Sequence, residues 1–124
     1  MSRDDPAAVV QRQLLAYNAR DLEAFAANFA DDIKIYRLPA TQPAITDKAG
    51  FRETYRQRFA SANLHAEILT RIVMGNKVID HERIAGIREQ PLEAVAVYEV
   101  TDGLIRTVWF FYPAEPLPPG PAKT

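Results

Sequence analysis

Cysteine is absent from all 124 residues. That removes disulfides, thiolate nucleophiles, iron–sulfur ligation and cysteine-based zinc sites in one step. Histidine is scarce: His65 and His81 are the only two, and they fall on different expected strands, so no metal site is read. Neither sign of charge is in surplus, with 15 basic against 16 acidic side chains and a net charge of -1. A nucleic-acid binder ordinarily carries a basic excess to displace counterions. There is no glycine-rich phosphate loop and no nucleophile elbow. No apolar stretch approaches the roughly 20 residues that span a bilayer. The opening Met-Ser-Arg-Asp-Asp-Pro is charged with no apolar run behind it, unlike a secretory signal. The expectation is a cytoplasmic protein with no cofactor, no nucleic-acid partner and no membrane partner.

What is present is an ordinary globular composition, 48% hydrophobic and 25% charged, at a length that suits one domain. Asp5-Pro6 reads as a helix start, a capping carboxylate before proline, and Val10, Leu14 and Tyr17 follow at helical spacing. After a break at Asn18-Ala19-Arg20, Asp21 caps a second helix with apolar positions Leu22, Phe25, Ala26 and Phe29. Ile33 to Leu38 alternates like a strand, and Pro39 closes it. Thr46 or Asp47 starts a third helix, on which Phe51, Tyr55 and Phe59 form one aromatic stripe suited to packing on a sheet.

From Leu64 the period falls to two. Strands are expected at Leu64–Met74, Lys77–Ile87, Ala94–Thr101 and Leu104–Tyr112, with hairpin turns at Gly75-Asn76 and Asp102-Gly103. The domain covers residues 1–112, and 113–124 is a proline-rich tail without period. The order ααβαββββ is an α+β fold: a strongly curved antiparallel sheet packed on three helices, leaving a cone with an open mouth.

The strings Tyr17-Asn18-Ala19-Arg20-Asp21-Leu22, Phe29-Ala30-Asp31-Asp32 and Val97-Tyr98-Glu99-Val100-Thr101-Asp102-Gly103-Leu104-Ile105 carry a family resemblance. With the element order, they resemble the nuclear-transport-factor-2-like superfamily, which includes steroid Δ-isomerases, SnoaL-type polyketide cyclases and limonene epoxide hydrolases. The resemblance runs from about Pro6 to Tyr112 and implies a small-molecule pocket inside the cone. It does not carry over the best-known catalytic residues. The tyrosine, base aspartate and protonated aspartate of the steroid isomerases fall on Gln13, Arg37 and Ala96, and an arginine stays protonated at neutral pH. Of the epoxide hydrolase residues, Arg83 matches the arginine, while the two aspartates fall on Ala85 and Phe110.

Alternation and the resemblance together turn Ile79, His81, Arg83 and Ala85 of the third strand toward the cavity, unless a one-residue bulge swaps its faces and brings in Asp80 and Glu82. On that reading His81 is the catalytic proton shuttle, and Arg83 and Arg37 grip an anionic group. The structural alternatives are a cross-strand histidine and arginines paired with Glu67, Asp80, Glu82 or Glu99. Gln13, Tyr17, Phe25, Ile35, Ala96, Tyr98, Val108, Phe110 and Tyr112 are expected to line the ligand site. Trp109 and Phe111 fall on the outer face, which implies a homodimer through the sheets or cover from the tail. Three functions follow: a cofactor-independent isomerase, cyclase or hydrolase of a small apolar carbonyl or hydroxy compound, a ligand-binding or accessory protein without turnover, or an interaction module working through the outer sheet surface.

Overall fold

The computed structural model describes residues 5–113. Beyond Pro113 the proline-rich tail lies outside the described residues. Helix α1 runs Pro6–Ala19; Asp5 occupies its N-cap but makes no side-chain capping bond, so the start rests on proline alone. The helix ends at Arg20, whose left-handed backbone (φ 56) lets the chain turn at once into α2, Leu22–Ala26. The Asp21 carboxylate caps α2, accepting from the Ala24 amide at 3.1 Å. Strand β1 is Phe29–Arg37, earlier than alternation predicts. Phe29 leaves the helix because the Asn28 side chain donates to Ala24 O at 3.0 Å. The Asn28 carbonyl is then taken by the Ile105 amide at 2.9 Å.

Helix α3, Lys48–Arg58, starts at Asp47, whose carboxylate accepts from the Gly50 amide at 2.9 Å. Strands β2 (His65–Met74), β3 (Lys77–Ala85), β4 (Leu92–Thr101) and β5 (Leu104–Phe111) complete one sheet in the order β1-β5-β4-β3-β2. The β2 to β5 meander is antiparallel, whereas β1 joins β5 in parallel. Strand β3 stops before Gly86 rather than at Ile87. Gly86 sits at φ +94, and a Cβ there would meet the Asn63–Leu64 backbone at 2.6 Å. Only glycine permits that approach.

The three helices cover the concave side of the sheet. Tyr17, Phe25, Phe29, Phe51, Tyr55 and Phe59 form a contiguous aromatic cluster, with neighbouring ring centroids 4.5 to 6.4 Å apart. The α3 stripe therefore packs against rings from α1, α2 and β1 as well as against the sheet. Among the described residues no helix is long and apolar enough to cross a membrane.

Candidate functional site

Strand β3 presents the opposite face from the one expected. Val78, Asp80, Glu82 and Ile84 are buried, whereas Ile79, His81, Arg83 and Ala85 are half-buried or exposed on the outside of the sheet. Pairing with β4 fixes this facing. Val78, Asp80 and Glu82 stand opposite Tyr98, Ala96 and Ala94, all of them core residues. The two alanines leave room for the two carboxyls. His81 instead lies 3.3 Å from Glu93 across the outer face, and Arg83 lies 3.5 Å from Glu67. Neither faces the cavity. A proton shuttle at His81 and an anion grip at Arg83 are excluded by that placement.

A bulge does exist, but on β2. The register shifts between Ile68 and Thr70, so Ala66 faces inward near the start of the strand and Arg71 takes the inward position farther along. That shift sets Arg71 directly opposite Asp80. The Arg71 guanidinium donates to both carboxylate oxygens of Asp80, at 2.7 and 2.9 Å, and to Gln11 on α1 at 2.9 Å. Asp80 is fully buried, and a bidentate cation meets its charge.

Glu82, two residues along the same face, has no such partner. It is 5% exposed, and among the described residues no hydrogen bond or ion pair holds it. Burial pushes its carboxyl up from 4.5 to about 7; the neighbouring Asp80 charge adds to the rise, and Arg58 and Arg71 oppose it. The two carboxyls on one strand thus differ in environment: Arg71 pairs with Asp80, and among the described residues no cation lies at ion-pair distance from Glu82.

Glu82 borders a cavity of about 30 Å³ enclosed between α1, α3 and the sheet, with a partly open mouth. That is room for a water or two. Seven expected residues line it: Gln13, Tyr17, Phe25 and Ile35, then Tyr98, Val108 and Phe110. Ala96 is buried beside Asp80 and stands behind the lining. Arg37 pairs with Phe110 in the sheet, stacks 5.9 Å over its ring and donates to the Tyr112 hydroxyl at 3.3 Å, so both Arg37 and Tyr112 stand outside the lining.

Two lining residues, Tyr55 and Arg58, escape the sequence reading as site residues, and a third, Glu82, enters it only as the alternative facing of β3. Glu82 needed the facing of β3. Tyr55 and Arg58, at i and i+3 on α3, could have been found from helical spacing had the stripe been extended to its polar edge.

The polar groups converge in an otherwise apolar wall. The Tyr98 hydroxyl accepts from Gln13 Nε2 at 3.3 Å. Among the described residues the Tyr17 hydroxyl is the one fully enclosed side-chain polar atom that meets no partner at regular hydrogen-bond geometry; the Glu82 carboxyl keeps a small accessible area. Arg58 acts on the Tyr17 hydroxyl through charge and as a loose side-chain donor outside regular hydrogen-bond geometry. Burial raises Tyr17, Tyr55 and Tyr98 above the usual phenol range, so all three remain protonated donors. No group of three or more metal-ligating side chains occurs among the described residues.

The sequence matches the family model of the SnoaL-like domain over residues 10–108. A candidate ketosteroid isomerase from Kribbella flavida superposes with a TM-score of 0.77 at 23% identity, covering 95% of this chain and 84% of that one. An LEH-like epoxide hydrolase from M. tuberculosis gives 0.75 at 18% identity, covering 87% and 82%. A protein of unknown function with a cystatin-like fold from Methylobium petroleophilum gives 0.78 at 19% identity, covering 99% and 84%. At these identities the likeness shows the fold. No curated protein matches the chain at a significant level.

Proposed function

The chain belongs to the SnoaL-like domain family, within the nuclear-transport-factor-2-like superfamily, and from that premise we propose that it is a cofactor-independent enzyme moving a proton on a small, mostly apolar carbonyl or hydroxy compound. Glu82 carries the reading: a buried, unpaired carboxyl poised at about 7 beside a cavity. A base works best when its pKa lies near the working pH. Ionised Glu82 would take a proton from the carbon next to a carbonyl, and the electron pair would move onto the oxygen as an enolate. The Tyr17 and Tyr98 hydroxyls would donate to that oxygen in a low-dielectric wall, where such donors act most strongly. Returning the proton at another carbon gives isomerisation; attack of the enolate on a second carbonyl of the same molecule gives cyclisation.

Proton nuclear magnetic resonance in heavy water tests this on a panel of small cyclic ketones and enones. The wild type is expected to accelerate exchange of protons beside the carbonyl for at least one member, with the rate rising through pH about 7 as Glu82 ionises. Glu82→Gln should lower that rate by about 100-fold or more. Equal rates in the two proteins remove the proposal. The mostly apolar wall, broken by the Tyr17 and Tyr98 hydroxyls, supports a second reading in which the pocket binds a ligand without turnover. Perturbed protein resonances without any accelerated exchange select it.

A further inference from the structure

Arg58 is the last residue of α3 and the one cation among the cavity's lining residues. Arg52, Arg56, Arg71, Arg83 and Arg106 each lie within ion-pair distance of a carboxylate. Among the described residues no carboxylate comes that close to Arg58. Its guanidinium instead sits 5.3 Å over the Tyr55 ring. Arg58 is half-buried, with Glu82 acting on it only beyond ion-pair distance, so its charge is free to meet an anion entering the cavity.

The hydrogen-bond inventory around it points the same way. The Tyr17 hydroxyl meets no partner at regular hydrogen-bond geometry; only the Arg58 guanidinium reaches its oxygen, loosely, which leaves the phenol hydrogen free to donate. The Tyr98 hydroxyl accepts from Gln13, which leaves its own hydrogen unspent. Arg58 and the Tyr17 and Tyr98 hydroxyls are donors among the lining side chains, and they match the acceptor oxygens of a carboxylate, whereas ionised Glu82 on the same wall would repel one. A single arginine suits a monoanion better than a phosphate. We propose that Arg58 receives the anionic group of the ligand, so that the substrate class is a small apolar monocarboxylate held by Arg58 and the Tyr17 hydroxyl. This rests on the same cavity being the working site.

The proposal has a linked consequence. Glu82 feels the Arg58 charge, so ionised Glu82 and a bound anion compete for one cation. The other groups that bear on Glu82 are Asp80 on its own strand and Arg71 on β2. Tyr17 on α1, Tyr55 on α3 and Tyr98 on β4 also feel its charge. Asp80 and Arg71 neutralise each other, and the three phenols stay protonated, so Glu82 is the group whose ionisation changes near neutrality. β5 contributes Val108 and Phe110, and α2 contributes Phe25.

The test uses butyrate, ionised throughout the range, and butyramide as its neutral isostere, titrated by amide chemical-shift perturbation between pH 6 and 8.5. Butyrate should bind at least about tenfold more tightly than butyramide at the low end, the strength of a charge-assisted contact. Its Kd should then rise by up to about tenfold per pH unit once Glu82 ionises. Arg58→Met should erase the preference and Arg58→Lys should keep part of it, so a folding defect in one variant does not decide the matter. Glu82→Gln should bind butyrate with a Kd that is flat across pH.

Equal affinity for the two probes, no detectable butyrate binding, or an undiminished preference in Arg58→Met overturns the proposal. Butyrate binding as described, without proton exchange on ketones, would remove the catalytic reading and leave this one standing. Exchange activity without a butyrate preference would do the reverse.

Discussion

At the scale of single residues, Glu82 links the function to the stability of the protein. Its pKa in the fold, about 7, lies above the 4.5 of an unperturbed glutamate. Folding therefore favours the protonated form. The stability this group allows is fully present below pH about 4.5 and is lost as pH rises through about 7. A shift of this size is worth about 3 kcal/mol. Glutamine has the shape of the protonated acid and never ionises. Glu82→Gln should match the wild type in urea unfolding near pH 4.5 and exceed it by roughly 1–3 kcal/mol at pH 8. Equal stabilities at pH 8 would mean that Glu82 is solvated or paired in solution. The same substitution that is expected to abolish turnover should thus strengthen the fold, a trade seen where active sites hold unsatisfied groups.

At the scale of elements, the connection between α1 and the sheet rests on Asn18. Its side chain donates to Ala66 O at 3.0 Å and accepts from the Ala66 amide at 2.7 Å. Because β2 is an edge strand, this amide stands in for a missing neighbour strand. Asn18→Ala leaves both backbone groups half-buried without a partner. It is expected to lower stability by about 1–3 kcal/mol, read from the midpoint of chemical unfolding at constant slope. No change would mean that water replaces the side chain fully.

Helices and hairpins such as these were legible in the chain. Asp21, Asp47, Pro6 and Asp102-Gly103 act locally, and local signals survive into the fold. The facing of β3 was not legible. Its core side carries Asp80 and Glu82 between Val78 and Ile84, while its outer side carries Ile79 and Ala85 around His81 and Arg83. Each face mixes apolar and charged residues, so period two alone cannot choose between them. The choice comes from Ala94 and Ala96 across the β3–β4 pair and from the β2 bulge that delivers Arg71 to Asp80. Both are tertiary facts. Seven of the expected wall residues border the cavity, on elements whose buried faces are mostly apolar or aromatic, whereas on β3, where both faces are mixed, the expected His81 and Arg83 fall on the outer side.

At the scale of the whole molecule, the outer face of the sheet carries an apolar rib across all five strands. Ile72 pairs with Ile79, Ile79 with Val97, Val97 with Trp109, and Trp109 with Tyr36, one residue from each strand in register. The Tyr36 and Trp109 rings stack at 6.2 Å, and Ile72 and Phe111 are exposed. Charges beside the rib are already met within the chain: Lys77 by Glu99 and Arg83 by Glu67. A partner covering this face therefore meets an apolar stripe with a balanced rim, which another copy of the same chain can match without repulsion. The expected state is a homodimer through the sheets, visible by sedimentation velocity as protein is diluted. Val97→Glu would place a carboxylate at the centre of the rib, where an unpaired buried charge is strongly unfavourable. It should yield monomer while leaving the cavity on the opposite face, and hence any exchange activity, unchanged. Residues 114–124 offer the rival cover. A protein lacking them that sediments as a monomer over the whole dilution range would remove the dimer, whereas one that associates more strongly would show the tail and the second copy competing for the same stripe.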